Sequence, residues 1–208
     1  MQVECRTATG RNINFCGHGL LSAARYWHDH SLAMNALLMG GRHYDYVEES
    51  GVGWMASDAI PLVQGPAPEW TEQVFGQCAA ASALAGGDGD YLVLEWPENS
   101  DIAQLPRPGA QLADHTKRAV IVSCMTRGSA SLAGEDIQLR YFAPQYGVEE
   151  DVATGSAMRV LASYWQARGL GEQLQGLQRS SQGGWLLSRI TDDKVWVGGI
   201  ARPQESAA

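Results

Sequence analysis

The stretch Glu149-Glu150-Asp151-Val152-Ala153-Thr154-Gly155-Ser156-Ala157 decides the fold, because an acidic turn runs here directly into a helix. Apolar residues then recur at helical spacing, at Met158, Leu161 and Trp165. A helix that starts this way presents unpaired backbone N–H groups and the positive end of its dipole to the turn. The small residues before the helix allow a ligand to approach the backbone, and Asp151 places a carboxylate beside them. The stretch therefore predicts an anion site with an acid/base candidate next to it.

A second stretch has the same arrangement, a turn of small residues followed by a predicted helix. Cys16-Gly17-His18-Gly19 opens a predicted helix that runs from Leu20 to about His30. When Gly17 is aligned with Gly155, the pair Tyr26-Trp27 falls on Tyr164-Trp165. Chance similarity is an alternative, since helices favour these residue types. Two turn-to-helix units that both end in Tyr-Trp nevertheless predict a duplicated lobe, with one site between the copies.

Five segments carry a resemblance to a known family. They are Phe15-Cys16-Gly17-His18-Gly19, Arg140-Tyr141-Phe142-Ala143-Pro144, Glu150-Asp151-Val152-Ala153-Thr154-Gly155-Ser156-Ala157, Gln182-Gly183-Gly184 and Val195-Trp196-Val197-Gly198-Gly199. Together they resemble the phenazine-biosynthesis PhzF family over almost the whole chain. The run that begins at Glu150 is specific, whereas Cys-Gly-His-Gly is also similar to proline racemases. The resemblance implies an α+β fold of the diaminopimelate epimerase type. In that fold two pseudo-symmetric lobes, each a curled mixed sheet around a central helix, enclose a cleft that holds the active site.

The length of the chain fits one large domain or two small lobes, since 208 residues can bury a substantial core. Residues 97–109 contain three prolines and suit a crossing between lobes, so we expect an N-terminal lobe over residues 1–108 and a C-terminal lobe over residues 109–208. Strands are predicted at Tyr91 to Trp96, Ala119 to Cys124, Ile137 to Phe142, Trp185 to Ile190 and Lys194 to Val197, with His43 to Val47 paired to Gly53-Trp54-Met55.

The composition excludes several classes of partner. A net charge of −8 argues against nucleic acid and against an anionic membrane surface. No run approaches the ~20 apolar residues of a membrane span, and the N-terminus lacks a basic region followed by an apolar stretch. We therefore expect a cytoplasmic protein whose partner is a small metabolite.

The four cysteines, Cys5, Cys16, Cys78 and Cys124, lie far apart without Cys-x-x-Cys spacing. Disulfides and a zinc site are poorly supported by this spacing, and we expect no metal and no cofactor. Cys78 falls in a predicted helix from about Glu69 to Leu84, and Cys124 ends a predicted strand. Both are therefore expected to be small buried apolar residues.

His18 and Asp151 are the leading candidates for proton transfer. A histidine between two glycines at a helix start is badly placed for core packing and well placed to meet a ligand. Asp151 could also act only as a helix cap, and the two roles are compatible. The resemblance places His18 and Asp151 on the histidine and aspartate that line the family's cleft, and Ser156 on the serine that binds substrate. The substrate-binding set is completed by Gly17, Gly19, Thr154 and Gly155, while Glu149 and Glu150 are expected to be solvated or capping.

Cys16 has two interpretations. In proline racemases and diaminopimelate epimerases, the cysteine of the matching motif is one of two opposed acid/base thiols. The second thiol would have to come from the Asp151 turn, where Ala153 and Thr154 stand instead. A two-cysteine mechanism is therefore not available from these motifs. Cys16 is expected to be a spectator, and a one-base role is the alternative.

The resemblance also implies a catalytic glutamate upstream of the Cys-Gly-His motif. Only 15 residues precede Cys16, and Glu4 is their sole acid. We do not assign the family's glutamate role to Glu4. The expectation is either a shortened family member that has lost isomerase activity, or a start that is internal to a longer gene.

Three functions follow from these observations. The first is a cofactor-independent, PhzF-like isomerase or epimerase acting on a small carboxylate metabolite, with His18 and Asp151 moving a proton. The second is a non-catalytic anion-binding or regulatory module that keeps the pocket. The third is a racemase that uses Cys16 alone. A homodimer is expected, because the shortened first lobe would expose a sheet edge and an apolar strip along the helix that contains Leu20 and Trp27.

Overall fold

The computed structural model describes residues 2–6, 10, 12–13, 16–30, 36–88, 90–128, 131–132, 134–192 and 194–200, and only the backbone of residues 12, 13 and 18. Two helices span three turns or more, α1 (Gly17–Asp29) and α4 (Gly155–Gln166), whereas α2 (Trp70–Phe75) and α3 (Leu112–His115) are short. The strands are β1 (Cys5–Arg6), β2 (Asn12–Ile13), β3 (Ala36–Met39), β4 (Arg42–Glu49), β5 (Val52–Asp58), β6 (Leu62–Gly65), β7 (Ala81–Ala85), β8 (Tyr91–Glu95), β9 (Ala119–Met125), β10 (Ile137–Phe142), β11 (Gln173–Gln178), β12 (Gly184–Thr191) and β13 (Lys194–Gly199).

Eleven of these strands form one mixed sheet, in the order β3-β4-β5-β13-β12-β11-β10-β9-β8-β7-β6, and β1 pairs with β2 separately. The pairs β8–β9 and β10–β11 are parallel, and the other neighbours are antiparallel. The α+β class is therefore confirmed. The late strand β13 pairs with the early strand β5, from Lys194 opposite Asp58 to Gly199 opposite Gly53. This pairing joins the strands around α1 to those around α4.

Each long helix packs on its own group of strands. α4 buries Met158, Leu161 and Trp165 in a cluster with residues of β7 to β12. α1 buries Leu20 and Ala24 against β3, β4 and β5. Strands β7 and β8 lie before residue 109 but contribute to the cluster around α4. The division at residues 108 and 109 stays a prediction.

A third cluster lies on the opposite face of the sheet from α4. Residues alternate between the two faces along β8, where Val93 joins the cluster around α4 while Leu92 and Leu94 join the third cluster. Residues 97–109 run across this face and bury Ile102 and Leu105 in it. The predicted crossing segment thus covers the face of the sheet that is opposite α4.

The two glycine-led helices are confirmed, since α1 begins at Gly17 and α4 at Gly155. Their shared Tyr-Trp ending has different surroundings in the two copies. Tyr164 and Trp165 are fully buried, whereas Tyr26 is 57% exposed. The sequence similarity between the units therefore extends to their backbone but not to the packing of these aromatic rings.

The helix predicted from Glu69 to Leu84 is wrong in its second half. α2 ends at Phe75, because the next residue, Gly76, adopts the left-handed conformation with φ 70°. Residues 81–85 form β7, which pairs with β6 and β8. The helix preference of alanine is overridden because small side chains in β7 fit under α4. Cys78 lies in the connection and is exposed, which corrects the expected burial, whereas Cys124 is buried as predicted.

Candidate active-site cleft

A cleft lies where α1 and α4 begin. Its lining includes the first residue of each helix, Gly17 and Gly155, and the β13 residues Val197, Gly198 and Gly199. The two helix starts that the sequence singles out therefore meet at one cavity. Since a helix N-terminus favours negative charge, an anion in this cleft would be attracted from two directions.

Glycines allow the walls of the cleft to approach each other. A Cβ atom at Gly198 would lie 2.8 Å from the ring of Trp54, and one at Gly199 would lie 3.0 Å from Leu21 on α1. A Cβ at Gly155 would meet Val197 at 3.6 Å, an ordinary contact. A side chain at Gly198 would displace the Trp54 ring, whereas one at Gly199 would need only a small shift of the Leu21 side chain. Gly198 is thus the glycine that the close packing of β13 on β5 depends on most.

The acidic turn before α4 is fixed by hydrogen bonds of Asp151. Its Oδ1 accepts from the backbone N–H of Val152 at 2.9 Å, and its Oδ2 accepts from the Thr154 hydroxyl at 2.7 Å. Thr154, rather than Asp151, is the N-cap residue of α4. The Asp151 carboxylate therefore holds the turn, and it is not part of the cleft lining.

Gln178 supports this turn and was not recognised from the sequence. Its side chain is completely buried at the end of β11. Its Oε1 accepts from the backbone N–H of Thr154 at 2.7 Å, while its Nε2 donates to the carbonyl of Asp151 at 2.6 Å and to the Thr154 hydroxyl at 3.2 Å. One amide thus ties the catalytic candidate Asp151 to the start of α4. A glutamine in an alternating strand gives no local signal of such a role.

The segment after β11 closes over the same turn. Ser180 donates its hydroxyl to the carbonyl of Val152 at 2.7 Å. A Cβ at Gly184 would lie 2.7 Å from the Cβ of Ala153, so only glycine lets β12 start this close to the turn. The role of the Gln-Gly-Gly motif is therefore to let β12 pack closely against the turn.

Glu150 is a buried structural acid, which corrects the expectation that it is solvated or caps the helix. Its Oε1 accepts from Nε of Arg140 at 2.7 Å, and both side chains are less than a tenth exposed. Arg140 also donates to the carbonyls of Ile102 and Leu105. Because Arg107 pairs with the other carboxylate oxygen, Glu150 connects the turn to the crossing segment on the back of the sheet. Its neighbour Glu149 is exposed, as expected for a solvated acid.

Cys16 faces the protein rather than the cleft. It is the N-cap residue of α1, and its Sγ accepts from the backbone N–H of Gly19 at 3.4 Å. The Cys5 thiol contacts the same place, and burial together with the nearby Cys16 thiol raises the pKa of Cys5. Gly19 has no room for a side chain because the Cys5 sulfur occupies that space. Neither Cys16 nor Gly19 is part of the cleft lining.

The predicted site residues thus fall into two groups. Gly17 and Gly155 line the cleft, whereas Thr154 and Ser156 flank it at the start of α4 without contributing to its lining. The side chain of His18 lies outside the described residues, although its backbone belongs to the first turn of α1. The proton transfer by His18 and Asp151 together stays a prediction.

Arg159 was missed by the sequence interpretation. It lies on α4 four residues after Gly155, and it lines the cleft. Its guanidinium donates from Nε at 2.8 Å and from Nη2 to the carbonyl of Asp58. Partial burial lowers the pKa of Arg159. The helical spacing from Gly155 could have shown that Arg159 points to the same side as the helix start.

Neither a metal centre nor a membrane span is found in the described part of the chain. No three histidine, cysteine, aspartate or glutamate side chains there are grouped so that they could hold a metal ion. None of the helices described has the length and apolar character needed to cross a bilayer.

Comparison with known proteins identifies one family. The model of the PhzC-PhzF family, described as phenazine biosynthesis-like protein, matches residues 69–202. An uncharacterized isomerase of Pseudomonas aeruginosa is 29% identical over 91% of this chain and 70% of its own length. A second uncharacterized isomerase, from Vibrio cholerae, is 28% identical over 89% of this chain, which spans only 63% of that relative. The crystal structure of a phenazine biosynthesis protein PhzF family member from Enterococcus faecalis superimposes with a TM-score of 0.81 at 22% identity, covering 97% of this chain and 75% of that one.

Proposed function

Because the chain belongs to the phenazine biosynthesis-like PhzC-PhzF family, we propose that it is an isomerase or epimerase that moves a proton on a small carboxylate metabolite without a cofactor. Two relatives that bear the name isomerase support this assignment. The observation that carries it is the cleft that Gly17 and Gly155 line together. Two helix starts at one cavity suit a carboxylate, since each start attracts negative charge.

The proposed reaction needs a base that removes a proton beside the carboxylate and an acid that returns it elsewhere. His18, in the first turn of α1, and Asp151, in the turn before α4, are the candidates. The hydrogen bonds from Val152 and Thr154 hold the Asp151 carboxylate in one orientation. A fixed orientation favours proton transfer, because the acid or base then needs no reorganisation. The backbone N–H groups at the helix starts would stabilise the negative charge that develops on the substrate.

A non-catalytic anion-binding module is the second candidate. Its support is that both Asp151 oxygens accept hydrogen bonds within the turn and that Asp151 is not part of the cleft lining. A carboxylate used in this way serves the structure of the helix start. The one-cysteine racemase has less support, since the Cys16 thiol contacts Gly19 and Cys5 on the inner side of α1.

Deuterium exchange separates these functions. The protein is incubated in D₂O with a panel of small α-amino, α-hydroxy and unsaturated carboxylates, and loss of C–H signals is followed by proton NMR. We expect exchange with at least one acid, and we expect Asp151→Asn to slow it roughly 10²- to 10⁴-fold, the usual contribution of a general acid or base. Glu149→Gln is the matched control, because Glu149 is exposed in the same turn. Its exchange rate should equal that of the unmodified protein.

Binding is measured on the same panel by calorimetry. If at least one acid binds but no acid in the panel exchanges its C–H protons, the result would contradict the isomerase and favour the binding module. A Cys16→Ser variant tests the third function. If this variant no longer exchanges C–H protons while Asp151→Asn exchanges them at the normal rate, the one-cysteine racemase is favoured.

A further inference from the structure

A second hollow adjoins the cleft and shares Tyr44 and Arg159 with it. The charged and phenolic side chains that line this basic hollow are Arg42, Tyr44, Asp58, Asp90, Tyr91 and Arg159. It continues past His43 to Lys194 on β13. A ligand bound at the helix starts could therefore extend past Tyr44 and Arg159 into the basic hollow.

Arg159 stands between the two cavities as a cation without a carboxylate partner. No carboxylate lies within ion-pair distance of its guanidinium in the part of the chain that the structure describes. Its hydrogen bonds use Nε and Nη2, both directed at the neutral carbonyl of Asp58. The Nη1 group donates to no described acceptor. Since a partly buried charge normally has a counter-charge, these donors are available to an anion.

Arg42 adds a second positive charge to the basic hollow. Burial is the main reason that the pKa of Arg159 is lowered; Tyr91, Tyr44 and the Asp58 carboxylate oppose this change, and Arg42 adds a smaller lowering by repulsion. Both arginines also act on Tyr44, where their charges oppose the rise in pKa that burial causes. Both arginines and the buried Tyr44 line the same hollow. Like charges that are held together in this way repel each other, and a bound anion would relieve the repulsion.

The acids of the basic hollow are already engaged. Asp58 accepts from Nζ of Lys194 at 2.6 Å, and Asp90 accepts from the backbone N–H of Gly87 at 2.7 Å. Among the described residues, the cations Arg42, Arg159 and Lys194 outnumber these two acids. In a chain with a net charge of −8, a concave site with an excess of positive charge requires an explanation.

We propose that Arg159 and Arg42, with Tyr44 and Tyr91, form a second anion subsite, and that the substrate is a metabolite with two anionic groups. This inference rests on the proposed function, since one group is the carboxylate held at the starts of α1 and α4. The second group, a carboxylate or a phosphate, lies at Arg159. A guanidinium fits both because its N–H donors match paired oxygen atoms.

The test compares butyrate, glutarate and 3-phosphopropionate by calorimetric titration. We expect the two dianions to bind at least tenfold more tightly than butyrate, and the tighter of them identifies the second group. Arg159→Met should remove this advantage, so that glutarate and 3-phosphopropionate bind this variant no more tightly than butyrate does. Arg42→Met, at an exposed position, should reduce the advantage about threefold to tenfold. Arg127→Met is the matched control, since Arg127 is an exposed arginine outside both cavities.

The outcomes distinguish this inference from the proposed function. Equal affinity for butyrate and the dianions, or an advantage that survives Arg159→Met, would overturn the second subsite alone. Dianion binding that depends on Arg159 but is unaffected by Gly155→Val would support the subsite and contradict the proposed cleft. Absence of binding by all three acids would overturn both. Thermal unfolding of each variant shows whether it is folded, and Arg42→Met keeps the test valid if Arg159→Met unfolds.

Discussion

At the scale of single residues, Gln178 is the side chain on which the acidic turn depends most. Replacement by leucine would leave the buried N–H of Thr154 and the carbonyl of Asp151 without partners. An unsatisfied buried group costs about 1–3 kcal/mol, so we expect Gln178→Leu to lower the free energy of unfolding by roughly 2–4 kcal/mol. Urea unfolding measures this loss. Gln175→Leu is the control, because Gln175 is exposed on the same strand. Equal stability of the two variants would contradict the assigned role.

The four thiols should differ in their reactivity. Cys78 is exposed, whereas Cys124 is buried and desolvation raises its pKa to about 12. Because the thiolate is the reactive form, Cys124 stays protonated at pH 8 and should resist alkylation. We expect iodoacetamide to modify Cys78 first and Cys124 only after unfolding, as followed by peptide mass spectrometry. Modification of Cys124 at the rate of Cys78 in the folded protein would contradict its placement.

At the scale of elements, local signals predicted the helix starts well and the residues around them less well. The helix starts at Gly17 and Gly155 were predictable, because the helical spacing of the apolar residues after each glycine is visible in the local sequence. Strand β7 was not predictable in this way. Its alanine-rich sequence favours a helix, and it forms a strand because it pairs with β6 and β8. Gln178 acts through contacts with residues distant in the sequence, which give no local signal. For Arg159, the helical spacing from Gly155 indicates the side of α4 but not the contact with Asp58.

Gly76 is the local signal that could have shown where α2 ends. It caps the helix at φ 70°, a conformation that costs a residue with a Cβ about 1–2 kcal/mol. We therefore expect Gly76→Ala to lower the free energy of unfolding by about 1 kcal/mol, measured by urea titration. Gly171→Ala should be neutral or slightly stabilising, because Gly171 has ordinary backbone angles and open space around it. A loss at Gly171 as large as at Gly76 would contradict this explanation.

At the scale of the whole molecule, the expected apolar strip along α1 is not exposed, since Leu20 and Ala24 are fully buried under β3 to β5. The sheet still ends in the outermost strand β6, where Val63 lies opposite Leu84 and both are exposed. We therefore expect two chains to associate. Light scattering at micromolar concentration should give about twice 22.5 kDa, and a particle of 22.5 kDa would contradict the dimer.

The pairing of β13 with β5 also determines when, during synthesis of the chain, the cleft can form. A ribosome releases the strands in chain order, so β3 to β5 emerge long before residues 194–199. Until then the edge of β5 has no partner, and the cleft lacks the wall that Val197, Gly198 and Gly199 provide. This side of β5 therefore stays unpaired until residues 194–199 have emerged. An unpaired strand edge can pair with other chains, and the cleft is complete only when β13 has added its wall.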